Sequence, residues 1–308
     1  MRKGLLAFAF AVSLGLLGCG GGGGTIIVPP GLADNVILYY VFDSGGALYT
    51  IKSDGTDKAL VSNGEFASLV VNPARTAIAF TRKVGNFNHI FTMNVNGTGL
   101  TQVTTDDHNH DNPSFDQTGS ILYFDRDMDG TGINDRKIVR WGLISGVMTQ
   151  LTFADSPPDT LPHDFEPAIS PNGQIVAFFR SPAGGNGYIC TMSSDGNGIT
   201  QIAPLGTEDP KWSPDGTKIA YIDNQSALTS KIMIMDADGG NKTQVTSDSS
   251  RFADISWSPD GTQIGYTHRS AATSFIAQLY TINIDGTNKT KISVDANLDH
   301  GFLAWSTQ

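Results

Sequence analysis

Cysteine is scarce in this sequence, and so are charged side chains. Only two cysteines, Cys19 and Cys190, occur among 308 residues, so no disulfide framework is expected. Charged residues make up 16% of the chain, with 20 basic side chains against 30 acidic ones and a formal net charge of -10. An acidic surface repels a phosphate backbone, so no nucleic acid is expected as a partner.

Signatures of catalysis are also absent from the sequence. It has no Gly-x-Ser-x-Gly elbow, no P-loop, no dinucleotide fingerprint and no zinc-binding cysteine pair. Glycine, in contrast, is abundant, with 35 residues. Many glycines and few charges are typical of an all-β protein with tight turns. We therefore expect a binding module rather than an enzyme.

The N-terminus has the pattern of an exported lipoprotein. Met1-Arg2-Lys3 precedes an apolar run over residues 4–18, which is too short for a comfortable membrane span and fits a signal peptide. The run ends in Leu16-Leu17-Gly18-Cys19, which resembles the bacterial lipobox. This resemblance implies cleavage before Cys19 and a lipid on that residue. An ordinary cleavage site beside an incidental cysteine is the alternative.

A tether is expected between the signal peptide, residues 1–18, and the folded domain. Residues 20–24 are all glycine, which gives high backbone entropy, and Pro29-Pro30 stiffens the approach to the domain. The predicted tether spans residues 19–34. If sorting follows the rule of enteric bacteria, Gly20 implies the outer membrane, with the domain facing the periplasm or the cell surface.

Two short patterns alternate over the rest of the chain. The first is clearest in Trp212-Ser213-Pro214-Asp215-Gly216 and recurs from Trp257, with weaker or truncated copies elsewhere. The second is an apolar strand followed by Asp-Gly and a further short strand. Its six copies begin at Leu48, Ile90, Ile138, Ile189, Ile232 and Leu279. Units of about 42 to 50 residues with four strands each are typical of propeller blades.

The repeats predict an all-β, six-bladed β-propeller of four-stranded blades over residues 35–308. The first blade, beginning at residues 36–41, lacks an inner strand, and the chain ends with such a strand alone at residues 302–306. Pairing of the C-terminal strand into the N-terminal blade would close the ring and remove an exposed edge. A β-solenoid or sandwich is the alternative, but the repeat is too long for a solenoid coil.

The repeats also resemble those of a known family. Trp212-Ser213-Pro214-Asp215-Gly216 with Ile219-Ala220-Tyr221, and Ile234-Met235-Asp236 with Asp238-Gly239 and Gln244-Val245-Thr246, are similar to the WD40-like repeats of the TolB propeller family. The resemblance implies a periplasmic propeller that binds the peptidoglycan-associated lipoprotein and other peptides. We expect the chain to differ from that family in having a lipobox and in lacking a separate N-terminal α/β domain.

Polar residues of varied type cluster just before the inner strands, whereas the turns at the opposite face repeat the same few residues. Variety of polar side chains on one face predicts a ligand-binding face. Its candidate residues are His108, His110, Asp111, His163, Asp164, Glu166, Asp209, Arg251, Asp254 and His300.

Two groups of side chains are candidates for a metal site. The first group could converge over the central channel of the propeller, an arrangement that resembles oligogalacturonate lyase, and consists of His108, His110, His163 and His300. Alternatively, these histidines could be solvated loop residues. Asp125, Asp127 and Asp129 precede Gly130 in a pattern similar to a calcium loop, although related repeats carry such turns without a metal. No cofactor is certain from the sequence, and calcium is the candidate for this aspartate pattern.

These observations lead to three functional hypotheses. The first is a monomeric, lipid-anchored scaffold that binds an envelope protein or peptide. The second is a metal-dependent carbohydrate-active enzyme similar to oligogalacturonate lyase. The third is a calcium-stabilised propeller that binds glycans. The first is preferred because the fold mostly serves as an interaction platform and the sequence shows no clear catalytic constellation.

Overall fold

The structure, a computed structural model, describes residues 31–33, 35–42, 45–130, 135–153, 162–182, 186–224, 229–247, 251–269, 276–294 and 299–305. The predicted signal peptide, Cys19 and nearly all of the predicted tether lie outside these ranges. Within them, 24 strands form six antiparallel sheets of four strands each. No helix in the described ranges is both long and apolar enough to cross a membrane.

Each sheet is one blade, and consecutive strands build consecutive blades. Blade 1 contains β1 (Val36–Phe42), β2 (Ala47–Lys52) and β3 (Ala59–Asn63). Blade 2 contains β4 (Ala67–Val71), β5 (Ala77–Val84), β6 (Phe87–Asn94) and β7 (Thr101–Gln102). Blade 3 contains β8 (His110–Phe115), β9 (Ile121–Asp127), β10 (Arg136–Gly142) and β11 (Met148–Gln150).

The second half of the chain repeats this order three times. Blade 4 contains β12 (His163–Ile169), β13 (Ile175–Ser181), β14 (Tyr188–Ser193) and β15 (Thr200–Gln201). Blade 5 contains β16 (Thr207–Trp212), β17 (Lys218–Asn224), β18 (Ser230–Asp236) and β19 (Thr243–Gln244). Blade 6 contains β20 (Arg251–Trp257), β21 (Gln263–Arg269), β22 (Gln278–Asn283) and β23 (Thr290–Lys291), and the last strand is β24 (Asp299–Trp305).

The last strand closes the ring. β24 is the inner strand of blade 1, in the order β24-β1-β2-β3, and Leu38 of β1 lies opposite Ala304 of β24. Each inner strand contacts the next one, and β24 contacts both β20 and β4. The prediction of a six-bladed β-propeller closed by its C-terminal strand is therefore confirmed.

The chemistry of the repeated turn explains why its residues recur. In blade 5 the hydroxyl of Ser213 accepts the amide of Lys218 at 2.9 Å, and Oδ1 of Asp215 accepts the amide of Thr217 at 3.0 Å. Gly216 adopts a φ of 68°, which glycine tolerates at little cost. These bonds satisfy the backbone of the turn between the first two strands of the blade.

The apolar core is divided among the contacts between blades. One buried cluster lies at each of the six interfaces, and each cluster takes its side chains from two neighbouring sheets. Tryptophans of the repeat reinforce two of these interfaces. The indole nitrogen of Trp212 donates to the carbonyl of Ala168, and that of Trp257 donates to the carbonyl of Lys211, both at 3.0 Å. β16 is thereby fixed against β12, and β20 against β16, around the channel.

Candidate functional site

A β-bulge recurs at the same position in all six inner strands. The register shifts within β4, β8, β12, β16, β20 and β24. In the first five of these strands one residue of the bulge has a left-handed backbone, with φ between 44° and 55°. These residues are Ser68, Asn112, Glu166, Asp209 and Asp254. Because a bulge redirects the side chain that it carries, all five are placed around the mouth of the channel.

The bulge residues line a cavity of about 550 Å³ at this end of the channel, here called the mouth cavity. Its wall has two unlike sides. Carboxylates of blades 4 to 6 form one side, namely Glu166, Glu208, Asp209 and Asp254, and the cations Lys211 and Arg269 line the same cavity. Rings of blades 6 and 1 form much of the other side, namely Phe42, Phe252, His268 and His300. The cavity can therefore contact a cationic group on one side and an apolar group on the other.

Hydrogen bonds join the bulges of blades 2, 3 and 4. Ser68 donates from its hydroxyl to Oδ1 of Asn112 at 2.7 Å, and Nδ2 of Asn112 donates to Oδ1 of Asp125 at 2.7 Å. The same oxygen of Asp125 accepts the backbone amide of Glu166 at 3.2 Å. We call this connected set, with its continuation into blades 5 and 6, the polar belt.

The polar belt continues through the carboxylates. Oε2 of Glu166 accepts the amide of Asp209 at 2.9 Å, and Oδ2 of Asp209 accepts the amide of Ile255 at 3.2 Å. Nζ of Lys211 donates to the other oxygen of Asp209. Each blade from 2 to 6 thus holds its neighbour at the mouth, and the polar groups of the cavity wall are fixed before any ligand arrives.

The crowding of carboxylates shifts the charge state of the belt. Burial, and then the nearby charges of Asp209 and Glu208, raise the pKa of Glu166 to about 8, although Lys211 opposes the shift. Burial lowers the pKa of Lys211, but the carboxylates of Asp209, Glu166 and Asp254 outweigh it, so the pKa of this ammonium is raised. At neutral pH Glu166 is therefore largely protonated and Lys211 is charged.

Asp125 is the buried carboxylate that joins blades 3 and 4 in the polar belt. It is fully buried, and burial raises its pKa to about 6 despite the guanidinium of Arg136 beside it. Arg136 also pairs with Asp111, at 2.7 Å between Nη2 and Oδ2. Asp111, which the sequence placed on the ligand-binding face, therefore belongs to an ion-pair network with Arg136 and Asp125 and does not line the mouth cavity.

Comparison with known proteins agrees with this architecture. Residues 158–308 match the family model described as the TolB beta propeller domain. The chain is a TolB-like propeller. TolB from Acinetobacter baumannii is similar over 89% of this chain and 67% of its own, with 21% identity and a TM-score of 0.73. A putative TolB from Agrobacterium tumefaciens is similar over 87% and 97%, with 14% identity and a TM-score of 0.65.

More distant similarity extends to an enzyme. A structure of oligogalacturonate lyase in complex with manganese covers 83% of this TolB-like propeller and 73% of its own chain, with 13% identity and a TM-score of 0.56. At these identities the solved structures show the fold alone. A search of the curated proteins finds no match.

Two of the four histidines considered as metal ligands lie together beside blade 3. His110 is fully buried, with Nε2 3.1 Å from Oδ1 of Asp106, and its ring stacks on that of His89. Burial lowers the pKa of His110 to about 4. Nδ1 of His108 lies 3.3 Å from the second oxygen of Asp106. In this TolB-like propeller both histidines pack around one carboxylate instead of lining the mouth cavity.

The other two histidines lie elsewhere. Nδ1 of His163 accepts the amide of Asp135 at 3.0 Å. His300 lines the mouth cavity, with Nδ1 3.1 Å from the carbonyl of Ala277. Across the described ranges, no three His, Cys, Asp or Glu side chains are placed to hold a metal ion. The four histidines therefore do not converge on one point.

The aspartates of the calcium-like pattern support the backbone of blade 3. Oδ1 of the buried Asp127 accepts the amides of Asp129 at 3.1 Å and Gly130 at 2.9 Å, and Asp129 is exposed. Asp125 faces Arg136. Residues 131–134 of the same pattern lie outside the described part of the chain. Where the structure describes them, these carboxylates serve as a turn cap and an ion-pair partner.

Of the residues predicted for the ligand-binding face, four line the mouth cavity: Glu166, Asp209, Asp254 and His300. Asp164 instead forms a buried two-bond pair with Arg180, at 2.7 and 3.0 Å. The backbone of Arg251 begins β20, and its side chain lies outside the described part of the structure.

The sequence interpretation missed Ser68, Asn112 and Lys211. The register of the repeat could have found Asn112, because Asn112-Pro113, Glu166-Pro167 and Asp209-Pro210 occupy equivalent positions in blades 3, 4 and 5. Lys211 occupies the repeat position that holds the uncharged residues Val70, Ser114 and Ala168 in blades 2, 3 and 4. A charged residue at a repeat position that is otherwise small marks the channel wall.

Proposed function

We propose that this chain is a lipid-anchored propeller of the bacterial cell envelope that binds a protein or peptide at the mouth cavity. The observation that carries the proposal is the preformed wall of this cavity, with fixed carboxylates on one side and aromatic rings on the other. Membership of the TolB-like propellers and the lipobox at Leu16-Leu17-Gly18-Cys19 support the envelope location.

The cavity suits a short protruding segment of a partner. Its volume of about 550 Å³ lies within the ordinary range for ligand sites. Asp209 and Asp254 would pair with a lysine, arginine or terminal amine of the partner, and Phe42 and Phe252 would pack against an apolar side chain. Glu166, protonated at neutral pH, can donate a hydrogen bond to a peptide carbonyl. Because the polar belt fixes these groups, little ordering is needed when the ligand binds.

The test removes charge from the cavity and compares it with an equal removal elsewhere. The full-length chain serves as bait for envelope extracts, beside the double variant Asp209→Asn and Asp254→Asn. The matched control is Asp238→Asn with Asp285→Asn, which changes exposed turn residues of the same two blades at the opposite face. We expect one partner to bind the wild type and the control equally and the cavity variant at least about tenfold more weakly.

Two further measurements complete the test. The wild type should incorporate labelled fatty acid, and the Cys19→Ser variant should not, because the lipid is expected on the thiol of Cys19. Retention of the partner should be insensitive to EDTA, whereas the two metal-dependent hypotheses predict loss of binding or of activity. A partner that is retained equally by all three proteins, or the absence of any cavity-dependent partner, would refute the binding proposal.

A further inference from the structure

The channel also opens on the face opposite the mouth cavity. A second cavity, of about 310 Å³, shares Val70, Ala168 and Lys211 with the first and is lined by the other ends of the inner strands. We call this opening the far mouth and define it by Pro73, Pro171, Pro214, Trp212, Trp257 and Trp305. No carboxylate lines the far mouth in the described part of the chain, and Lys211 is its one charged lining residue there.

The far mouth is an apolar surface by virtue of its tryptophans and prolines. The indole N–H groups of Trp212 and Trp257 already donate to backbone carbonyls, and prolines have no N–H group. Neutral polar side chains also line the far mouth, namely Ser114, Gln117, Ser170, Ser213 and Ser256, but most of its lining residues are apolar. The two openings of one channel therefore differ in chemistry, because one carries carboxylates and the other is mainly apolar.

The chain enters the propeller at the rim of the far mouth. The amide of Leu32 donates to the carbonyl of Arg75 at 2.9 Å, and the Cβ of any side chain at Gly31 would lie 3.1 Å from the carbonyl oxygen of Ala74. Ala74 follows Pro73, a rim residue of the far mouth. Gly31, the first residue that the structure describes, therefore lies beside this opening.

The residues before Gly31 have the matching chemistry. Residues 25–30 are Thr-Ile-Ile-Val-Pro-Pro, and no charged residue occurs between residues 20 and 33. Six residues span at most about 20 Å when extended. We propose that residues 25–30 dock into the far mouth and that Ile26 and Ile27 fill its apolar space. Removal of these side chains from water drives the docking.

The docked segment would determine how the protein is held. This consequence rests on the proposed function, because it requires the lipid on Cys19. The segment would lead from the lipid into the far end of the channel, so the bilayer lies on that side. The mouth cavity then faces away from the membrane and receives partners from the opposite direction.

The test is a set of distances from one labelled position. A nitroxide at Ile27→Cys, in the Cys190→Ala full-length chain in lipid nanodiscs, is paired in turn with labels at Gln117→Cys, Asn172→Cys and Asp215→Cys. These three exposed residues lie in the first turns of blades 3, 4 and 5, around the far mouth. Pulsed electron resonance then gives three distance distributions.

Docking predicts three narrow distributions with similar centres, and an additional Ile26→Asp substitution should broaden each at least about twofold. The matched control, Thr25→Ser, should leave them narrow. Broad distributions in the wild type would refute docking. Narrow but unequal distances would place the segment at another surface and refute it too.

Two controls separate this result from other outcomes. Dilution with unlabelled protein tests for a neighbouring copy as the occupant, because distances that disappear on dilution would overturn the intramolecular assignment. The mass of the chain reports the lipid on Cys19 independently. Partner binding at the mouth cavity is measured on the Ile26→Asp variant, so a failure of docking is distinguishable from a failure of the proposed function.

Discussion

Two glycines of one turn test how the blades are packed. Gly196 and Gly198 lie between β14 and β15, and both have positive φ, +93° and +70°. A Cβ on Gly196 would lie 2.6 Å from the carbonyl oxygen of Leu151 in blade 3, whereas a Cβ on Gly198 would have no heavy atom within 4 Å. Alanine strains the backbone at both positions, but only at Gly196 does it also press one blade against the next.

The magnitudes follow from these two contributions. A left-handed alanine costs about 1 to 2 kcal/mol. Overlap with a packed backbone adds about 1 to 3 kcal/mol. We therefore expect Gly198→Ala to lower the free energy of unfolding by about 1 kcal/mol and Gly196→Ala by about 3 kcal/mol. Urea unfolding followed by circular dichroism measures both losses. Equal losses in the two variants would refute the view that the close approach to Leu151 requires glycine.

Two pH dependences follow from shifted pKa values. The folded chain keeps a proton on Glu166 up to about pH 8, so stability should fall as pH rises from about 4.5 to 8. Urea titrations should show a loss of about 4 kcal/mol that Glu166→Gln abolishes. His110 stays neutral in the fold down to about pH 4, so stability should fall as pH drops below about 6.5. We expect a loss of about 2 kcal/mol between pH 7 and 5. A His110→Phe variant with the same pH profile as the wild type would contradict this assignment.

The blade count and the closure were predictable because they depend on local chemistry. Ser213, Asp215 and Gly216 each satisfy one requirement of a tight turn, so their recurrence marks every blade in which they occur. The C-terminal strand could be assigned to blade 1 because the ring has one vacancy for an inner strand. Neither inference needs knowledge of distant contacts.

The site was predictable only in part because the bulges interrupt the alternation of side chains. In a regular strand successive residues point to opposite faces, but an extra residue reverses the faces of those on one side of it. Asp164 lies before the bulge of β12 and pairs with Arg180 in the interior, whereas Glu166 lies in the bulge and faces the channel. A sequence shows that such residues share one end of a strand. It does not show which of them meet.

The order of strands in blade 1 has a mechanical consequence. β1 receives the N-terminal segment directly and is bonded on both sides, to β24 and to β2. Hydrogen bonds between antiparallel strands run perpendicular to the strand axis. Tension along the N-terminal segment would therefore load two ladders in shear at once, instead of peeling an edge strand one bond at a time. The strand through which the chain would be pulled is thus held by many bonds that must fail together.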